Sequence, residues 1–260
     1  MAEILRYEHV DISYDGLLAV HDISFTLDKG EILGVVGESG SGKSTLIKAA
    51  MGLLGPGGMV TRGDIWYRGR NLPELPESEM RKLNGPELGM IFQNAGSSFC
   101  PIRTVGAQLC EIVTEHEAVS KAQARSRALE LLQKLGFEDG RRILDSYPFE
   151  LSGGMQQRAG IAAAILLNPG VLLADEPTSA LDVTVQKQVV EEMLLVRELF
   201  GAAIVLVTHN IGVVGAMADR VLVMKDGEAV EYGEARQILN DPREDYTRAL
   251  LSAVPRLRRG

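Results

Sequence analysis

Apolar positions along this chain follow two periods, and the changes between them outline a fold. Residues 4–14 alternate as a strand does and stop at Tyr14-Asp15-Gly16, a turn signal. Residues 23–27 predict a second strand. After Asp28-Lys29-Gly30 comes Ile32-Leu33-Gly34-Val35-Val36, an unbroken apolar run typical of a strand covered on both faces. Residues 46–51 predict a helix, and Gly55-Pro56-Gly57-Gly58 a break. Strand patterns at 64–67 and 88–92 enclose polar loop and a short helix. The period then becomes helical over 104–135. It is interrupted at Tyr147-Pro148-Phe149-Glu150 and resumes over 154–167. Val171-Leu172-Leu173-Ala174 predicts a buried strand. A helix (183–200), a strand (203–207), a short helix (211–217), a hairpin (221–232, turning at Asp226-Gly227) and two helices follow. Strands alternating with helices predict an α/β chain with a mainly parallel sheet. A helical insertion of about 70 residues interrupts it.

Composition narrows the class. The chain of 260 residues is 45% apolar and 24% charged, enough for one large domain with subdomains. Its net charge of −8 argues against non-specific binding to nucleic acid or anionic lipid. Only Arg256-Leu257-Arg258-Arg259 is locally basic. Cys100 and Cys110 form no CxxC pair, and His9, His21, His116 and His209 are scattered. No zinc or iron–sulfur spacing exists, and two free thiols in a reducing cytosol are expected. The first residues have no signal-peptide pattern, and residues 159–167 fall far short of the ~20 apolar residues of a membrane helix. A cytosolic protein is expected, held at any membrane by a partner.

The densest chemistry lies in Gly37-Glu38-Ser39-Gly40-Ser41-Gly42-Lys43-Ser44-Thr45, a G-x4-G-K-[ST] phosphate loop between a predicted strand and a predicted helix. Glycines let successive N–H groups point at one anion, and the helix N-terminus adds partial positive charge. Lys43 would reach the β- and γ-phosphates, and Ser44 would ligate Mg²⁺. Ser152-Gly153-Gly154-Met155-Gln156 also opens a helix with a capping serine and free N–H groups. Alone, it is better read as an ordinary capped helix. After the strand 171–174, Asp175 and Glu176 emerge at the carboxyl end, where open α/β sheets bind ligands. Asp175 would hold Mg²⁺ through water, and Glu176 would orient the attacking water. Two carboxylates there are also what a solvated strand exit looks like; the phosphate loop favours the first reading.

The set resembles the ABC-type ATPases in family order: Tyr14, the phosphate loop, Gln93, the Ser152-Gly153-Gly154-Met155-Gln156 signature, Asp175-Glu176, Ser179-Ala180-Leu181-Asp182 and His209. The resemblance spans nearly the whole chain. It implies a P-loop NTPase (RecA-like) core at 1–92 and 168–240, with an N-terminal antiparallel β subdomain. It further implies a helical insertion at 93–167 carrying the signature, and a C-terminal helix and tail at 241–260. Tyr14 would stack on adenine, Gln93 would meet the metal and the attacking water, and His209 would bond the γ-phosphate. Alone, each of these three would be an unremarkable residue. Ser152, Gly153 and Gly154 would cover a nucleotide held by a second ATP-binding subunit, and Asp182 would link the two sites. ATP and Mg²⁺ are the implied cofactors. Implied partners are integral membrane permease subunits, a second ATPase subunit (the same or different) and, indirectly, an extracytoplasmic solute-binding protein. The location is the cytoplasmic face of the cell membrane.

Ile91-Phe92-Gln93-Asn94, Ser97-Ser98-Phe99-Cys100-Pro101, Thr104-Val105-Gly106, residues 146–155, Asp182-Val183-Thr184-Val185-Gln186 and residues 246–255 resemble the peptide/nickel importer ATPases. Ala95 stands where proline is common, Cys100 where asparagine or aspartate is usual, and Asn210 where aspartate usually follows the histidine. The first two lie in the loop expected to dock the membrane subunit. The chain ends soon after Pro255, without a cysteine-bearing extension, which tilts the expectation from oligopeptides toward nickel or metal chelates. A soluble ABC-type ATPase uncoupled from transport is the alternative. Its repair and chromosome relatives carry long coiled coils or zinc modules, and neither is present here.

Overall fold

The computed structural model describes residues 2–179 and 181–252. The basic stretch 256–259, the end of the 246–255 segment and Ala180 lie outside them. In chain order the strands and helices are β1 (Glu3–Tyr14), β2 (Leu17–Asp28), β3 (Ile32–Gly37), α1 (Lys43–Ala50), β4 (Gly58–Tyr67), β5 (Arg70–Asn71), α2 (Glu77–Leu83), β6 (Leu88–Ile91), α3 (Val105–His116), α4 (Lys121–Lys134), α5 (Gly140–Asp145), α6 (Gly153–Ile165), β7 (Val171–Asp175), α7 (Val183–Phe200), β8 (Ala203–Val207), α8 (Ile211–Met217), β9 (Arg220–Lys225), β10 (Glu228–Glu234), α9 (Ala235–Asn240) and α10 (Asp245–Ser252). They fall into two compact units. One holds the chain up to Leu75 and from Ile204 onward, the other Pro76–Ala203.

The first unit carries an antiparallel sheet in the order β2-β1-β4-β5 and the run β10-β9-β3-β8. β3 is central. It is parallel to β8 (Val35 opposite Val207) and to β9 (Val35 opposite Leu222). Every residue of β3 and β8 is buried, as their continuous apolar runs require. Val36, Val214, Val221, Val223, Ala235 and Ile238 form the core beneath α8 and α9. The start of β3 is tied down by polar pairs. Glu31 bonds Arg220, Arg220 Nη2 donates to the Thr26 carbonyl at 2.7 Å, and the Ile32 N–H donates to Asp219 Oδ2 at 2.8 Å. Tyr7 of β1 stacks on Phe25 at 4.4 Å and donates its hydroxyl to the Leu46 carbonyl of α1 at 2.9 Å. Burial holds that hydroxyl well above the usual tyrosine range, so it stays a donor.

In the second unit β6 and β7 pair in parallel (Met90 opposite Leu173). The helical stretch expected over 104–135 is two helices. α3 ends at His116, and Ser120 restarts the chain with a capping box. Its Oγ accepts the Gln123 N–H at 3.3 Å, and the Ser120 N–H donates to Gln123 Oε1 at 2.9 Å. Periodicity alone runs across such a break. α6 is tied to its neighbours by Arg158, which bonds Glu192 of α7, donates to the Leu135 carbonyl at 2.7 Å and lies 4.2 Å from the Phe137 ring centroid. Burial pushes the Glu192 carboxyl up, against the pull of Arg158. Removing either partner should be costly, because the charge left behind stays buried. Both cysteines are free, and burial pushes the Cys110 thiol up. Among the described residues no helix is long and apolar enough to cross a membrane.

Candidate functional site

β3 delivers the phosphate loop, and the loop is shaped by positive φ. Gly37 has φ +152°, and a Cβ there would lie 2.1 Å from the Met224 carbonyl oxygen. Gly40 (φ +83°) and Gly42 (φ +92°) complete the wrap. Glu38, Ser39 and Gly40 are exposed, whereas Ser41 and Lys43 are buried. The Lys43 ammonium donates to the Gly37 carbonyl (2.9 Å), the Glu38 carbonyl (2.6 Å) and Ser41 Oγ (3.3 Å). A buried ammonium needs such acceptors, and it fixes a positive charge inside the turn. Ser44 and Thr45 are half-buried in the first turn of α1. We expect Gly37→Ala to lower stability by roughly 1–3 kcal/mol, from backbone strain and the clash at Met224. Calorimetry should show the melting temperature falling, while Gly153→Ala, whose Cβ meets nothing within 4 Å, leaves it in place.

Because β3 and β8 are parallel neighbours, the phosphate loop and His209 leave the same edge of the sheet. His209 is exposed, just past the buried Thr208. Asn210 caps α8, its Oδ1 accepting the Gly212 N–H at 3.0 Å and the Val213 N–H at 3.4 Å. An asparagine caps as well as the aspartate it replaces. Tyr14 is half-buried at the end of β1, with its ring against Gly58, where a Cβ would come within 2.7 Å of Cε1.

The second unit holds the remaining motif residues. β6 and β7 are parallel, so Gln93 and Asp175-Glu176 emerge at one edge. Asp175 is buried, Glu176 is half-buried and Gln93 is exposed. Glu176 sits at φ +45°, a conformation costly for a residue with a side chain, and its carbonyl accepts the Ser179 N–H at 3.0 Å. Ser152 caps α6 by accepting the Met155 N–H at 3.3 Å. Asp182 caps α7, with Oδ1 accepting the Thr184 and Val185 N–H groups, both at 3.0 Å. Val185 packs on Gly154, whose Cβ would lie 2.9 Å from Val185 Cγ1. Gln93, Asn94, Gly153, Gln157, Ser179 and Leu181 line one hollow of about 500 Å³. Within this unit, the loop at Gln93, the signature, Ser179 and Leu181 therefore meet.

Two features escape a reading of the sequence. Gln157 is buried on α6 and bonds backbone on both sides: its Nε2 donates to the Pro177 carbonyl at 2.8 Å, and its Oε1 accepts the Ala95 N–H at 3.2 Å. A proline at 95 would have no N–H to give. A polar residue at a core-facing position of an apolar helix was the available signal. The second feature is an apolar groove of about 320 Å³ lined by Phe92, Ala95, Phe99, Ile112, Ala163 and Ala164, among others. Its floor depends on Gly160, where a Cβ would lie 2.3 Å from Ala95 Cβ.

A fold built on a phosphate loop, with an acidic pair at the end of a buried strand and an inserted helical segment, is that of a nucleotide-hydrolysing cassette. A family model described as ABC transporter matches residues 20–179, and one described as oligopeptide/dipeptide transporter, C-terminal region, matches residues 230–260. The chain belongs to the ABC transporter family, as an ATP-binding subunit that hydrolyses ATP. It is 45% identical over 92% of its length to the oligopeptide transport ATP-binding protein OppD of Bacillus subtilis, spanning 67% of that protein. It is 44% identical over 91% of its length to the dipeptide transport ATP-binding protein DppD of Escherichia coli, spanning 72% of it. The dimeric ATP-binding cassette MJ0796, in a post-hydrolysis state bound to ADP and Pi, superposes with a TM-score of 0.79 at 29% identity, covering 90% of this chain and 99% of that one. An ABC-type ATPase uncoupled from transport has no counterpart among these relatives. The match over 230–260 also removes the reason, drawn from where the chain ends, for preferring metal over peptide cargo.

Proposed function

We propose that the phosphate loop, Tyr14, Gln93, Asp175, Glu176 and His209 act on one Mg·ATP while the signature residues act on that of a second subunit, and that the transport so driven is uptake of di- or oligopeptides. The observation that carries the nucleotide reading is the buried Lys43 ammonium inside a turn of positive-φ glycines, a pre-set charge bonded to two carbonyls and a hydroxyl. Lys43 and the loop N–H groups bind the phosphates, and Tyr14 stacks on the base. The residues present suit a hard dication: the hydroxyl of Ser44, the buried carboxylate of Asp175 and the amide of Gln93 are oxygen donors. Held by these groups, Mg²⁺ would supply charge neutralisation to the phosphates. Glu176 orients the attacking water and takes its proton, while His209 bonds the γ-phosphate.

Ser152, Gly153 and Gly154 cover the γ-phosphate of a nucleotide bound to a second ATPase subunit, and Asp182 joins the two sites. The dimeric state of the MJ0796 cassette supports this reading. Hydrolysis then removes contacts that favour the closed pair. The apolar groove beside the Gln93 loop receives a segment of an integral membrane permease, holding the chain at the cytoplasmic face of the membrane. A solute-binding protein on the far side delivers cargo. Peptide is favoured over nickel by the likeness to OppD and DppD and by the match at 230–260. A strain lacking this chain should lose uptake of a radiolabelled di- or oligopeptide and keep uptake of radionickel; the reverse result assigns the metal branch.

A further inference from the structure

We infer that Gln157 is a positioning residue: its side-chain amide holds Glu176 in its left-handed backbone conformation and ties that turn to the loop after Gln93. This rests on the proposed role of Glu176. Gln157 is only 5% exposed, on a helix whose neighbouring buried positions are Ala159, Ile161, Ala162 and Ile165. A buried amide there is costly unless both ends are bonded, and both are. Its partners are not the helix itself but two loops. The donor end reaches the carbonyl of Pro177, the residue directly after Glu176 (2.8 Å), and the acceptor end receives the N–H of Ala95, two residues after Gln93 (3.2 Å). Gln156, next to it, is used elsewhere, donating to the Pro148 and Leu151 carbonyls at 2.8 and 3.0 Å.

The strain at Glu176 says why the donor end matters. A non-glycine residue at φ +45° persists only where its surroundings over-determine it. Two bonds clamp this turn from either side: Ser179 N–H to the Glu176 carbonyl at 3.0 Å, and Gln157 Nε2 to the Pro177 carbonyl. Released from the second, the turn can relax, and the Glu176 carboxylate loses its fixed direction. The acceptor end makes the same side chain answer to movement of the Gln93 loop. One amide thus sets the geometry of the hydrolytic step without touching nucleotide.

The test uses the full chain with Gln157→Met, which keeps length but has no amide, and Gln157→Glu, which keeps an acceptor for the Ala95 N–H but turns a carboxylate toward the Pro177 carbonyl. Both should lower kcat for ATP about tenfold. KM and equilibrium ATP affinity should stay at the wild-type values. Amide exchange at Ala95 should quicken in Gln157→Met and not in Gln157→Glu. Unchanged kcat per folded molecule in both variants overturns the inference. So does a loss explained entirely by the unfolded fraction in a melting curve. Glu176→Gln, run alongside, separates the two readings. If it hydrolyses at the wild-type rate, the role of Glu176 fails. If it is inactive while Gln157→Met runs at full rate, only the role of Gln157 fails.

Discussion

Glu176→Gln should bind ATP as the wild type does and lose roughly 10²–10⁴-fold in turnover, the usual contribution of a positioned acid or base. The amide has the shape of the carboxylate and leaves the backbone at φ +45° in place, so folding is undisturbed. What it lacks is the ability to take a proton from water. With hydrolysis blocked, the γ-phosphate that favours closure persists, and the closed pair accumulates. Size-exclusion chromatography with ATP and Mg²⁺ should show a larger dimer fraction for this variant than for the wild type. Hydrolysis at the normal rate in this variant would remove Glu176 from the chemistry.

Lys43→Ala should fail one step earlier, at binding. Hydrogen bonds to charged groups contribute about 1.5–3 kcal/mol, so removing this one should weaken ATP affinity by roughly 10- to 200-fold. The loop also loses the bonds from the ammonium to the Gly37 and Glu38 carbonyls and to Ser41, which tighten the turn from within. Titration calorimetry with a non-hydrolysable ATP analogue measures the change. Affinity equal to the wild type would mean that Lys43 does not contact phosphate.

The sequence made legible what depends on local pattern. The apolar runs of β3, β7 and β8 need no partner to be recognised, because strands covered on both faces lack polar positions. The hairpin turn at Asp226-Gly227 and the cap at Ser152 follow from turn and helix-end chemistry. The break between α3 and α4 did not show, because Ser120 interrupts a period that continues beyond it. The left-handed backbone at Glu176 and the two bonds of Gln157 were not legible at all. A φ value has no signature in a glutamate, and Gln157 bonds backbone groups 62 and 20 residues away. The motifs name the residues expected to carry chemistry, and long-range contacts decide how they are aimed.

The place of β3 has a consequence for how the chain is made. Both of its parallel neighbours, β8 and β9, are encoded after residue 202, and the polar pairs at its foot reach from Glu31 to Arg220. During synthesis the phosphate loop therefore emerges well before the two strands that flank β3. The unit spanning Pro76–Ala203 is continuous in sequence and can fold meanwhile. The neighbours of β3 are complete only once β9 has been made, so a chain cut off before β9 should keep every residue of the loop and bind ATP more weakly than the full chain.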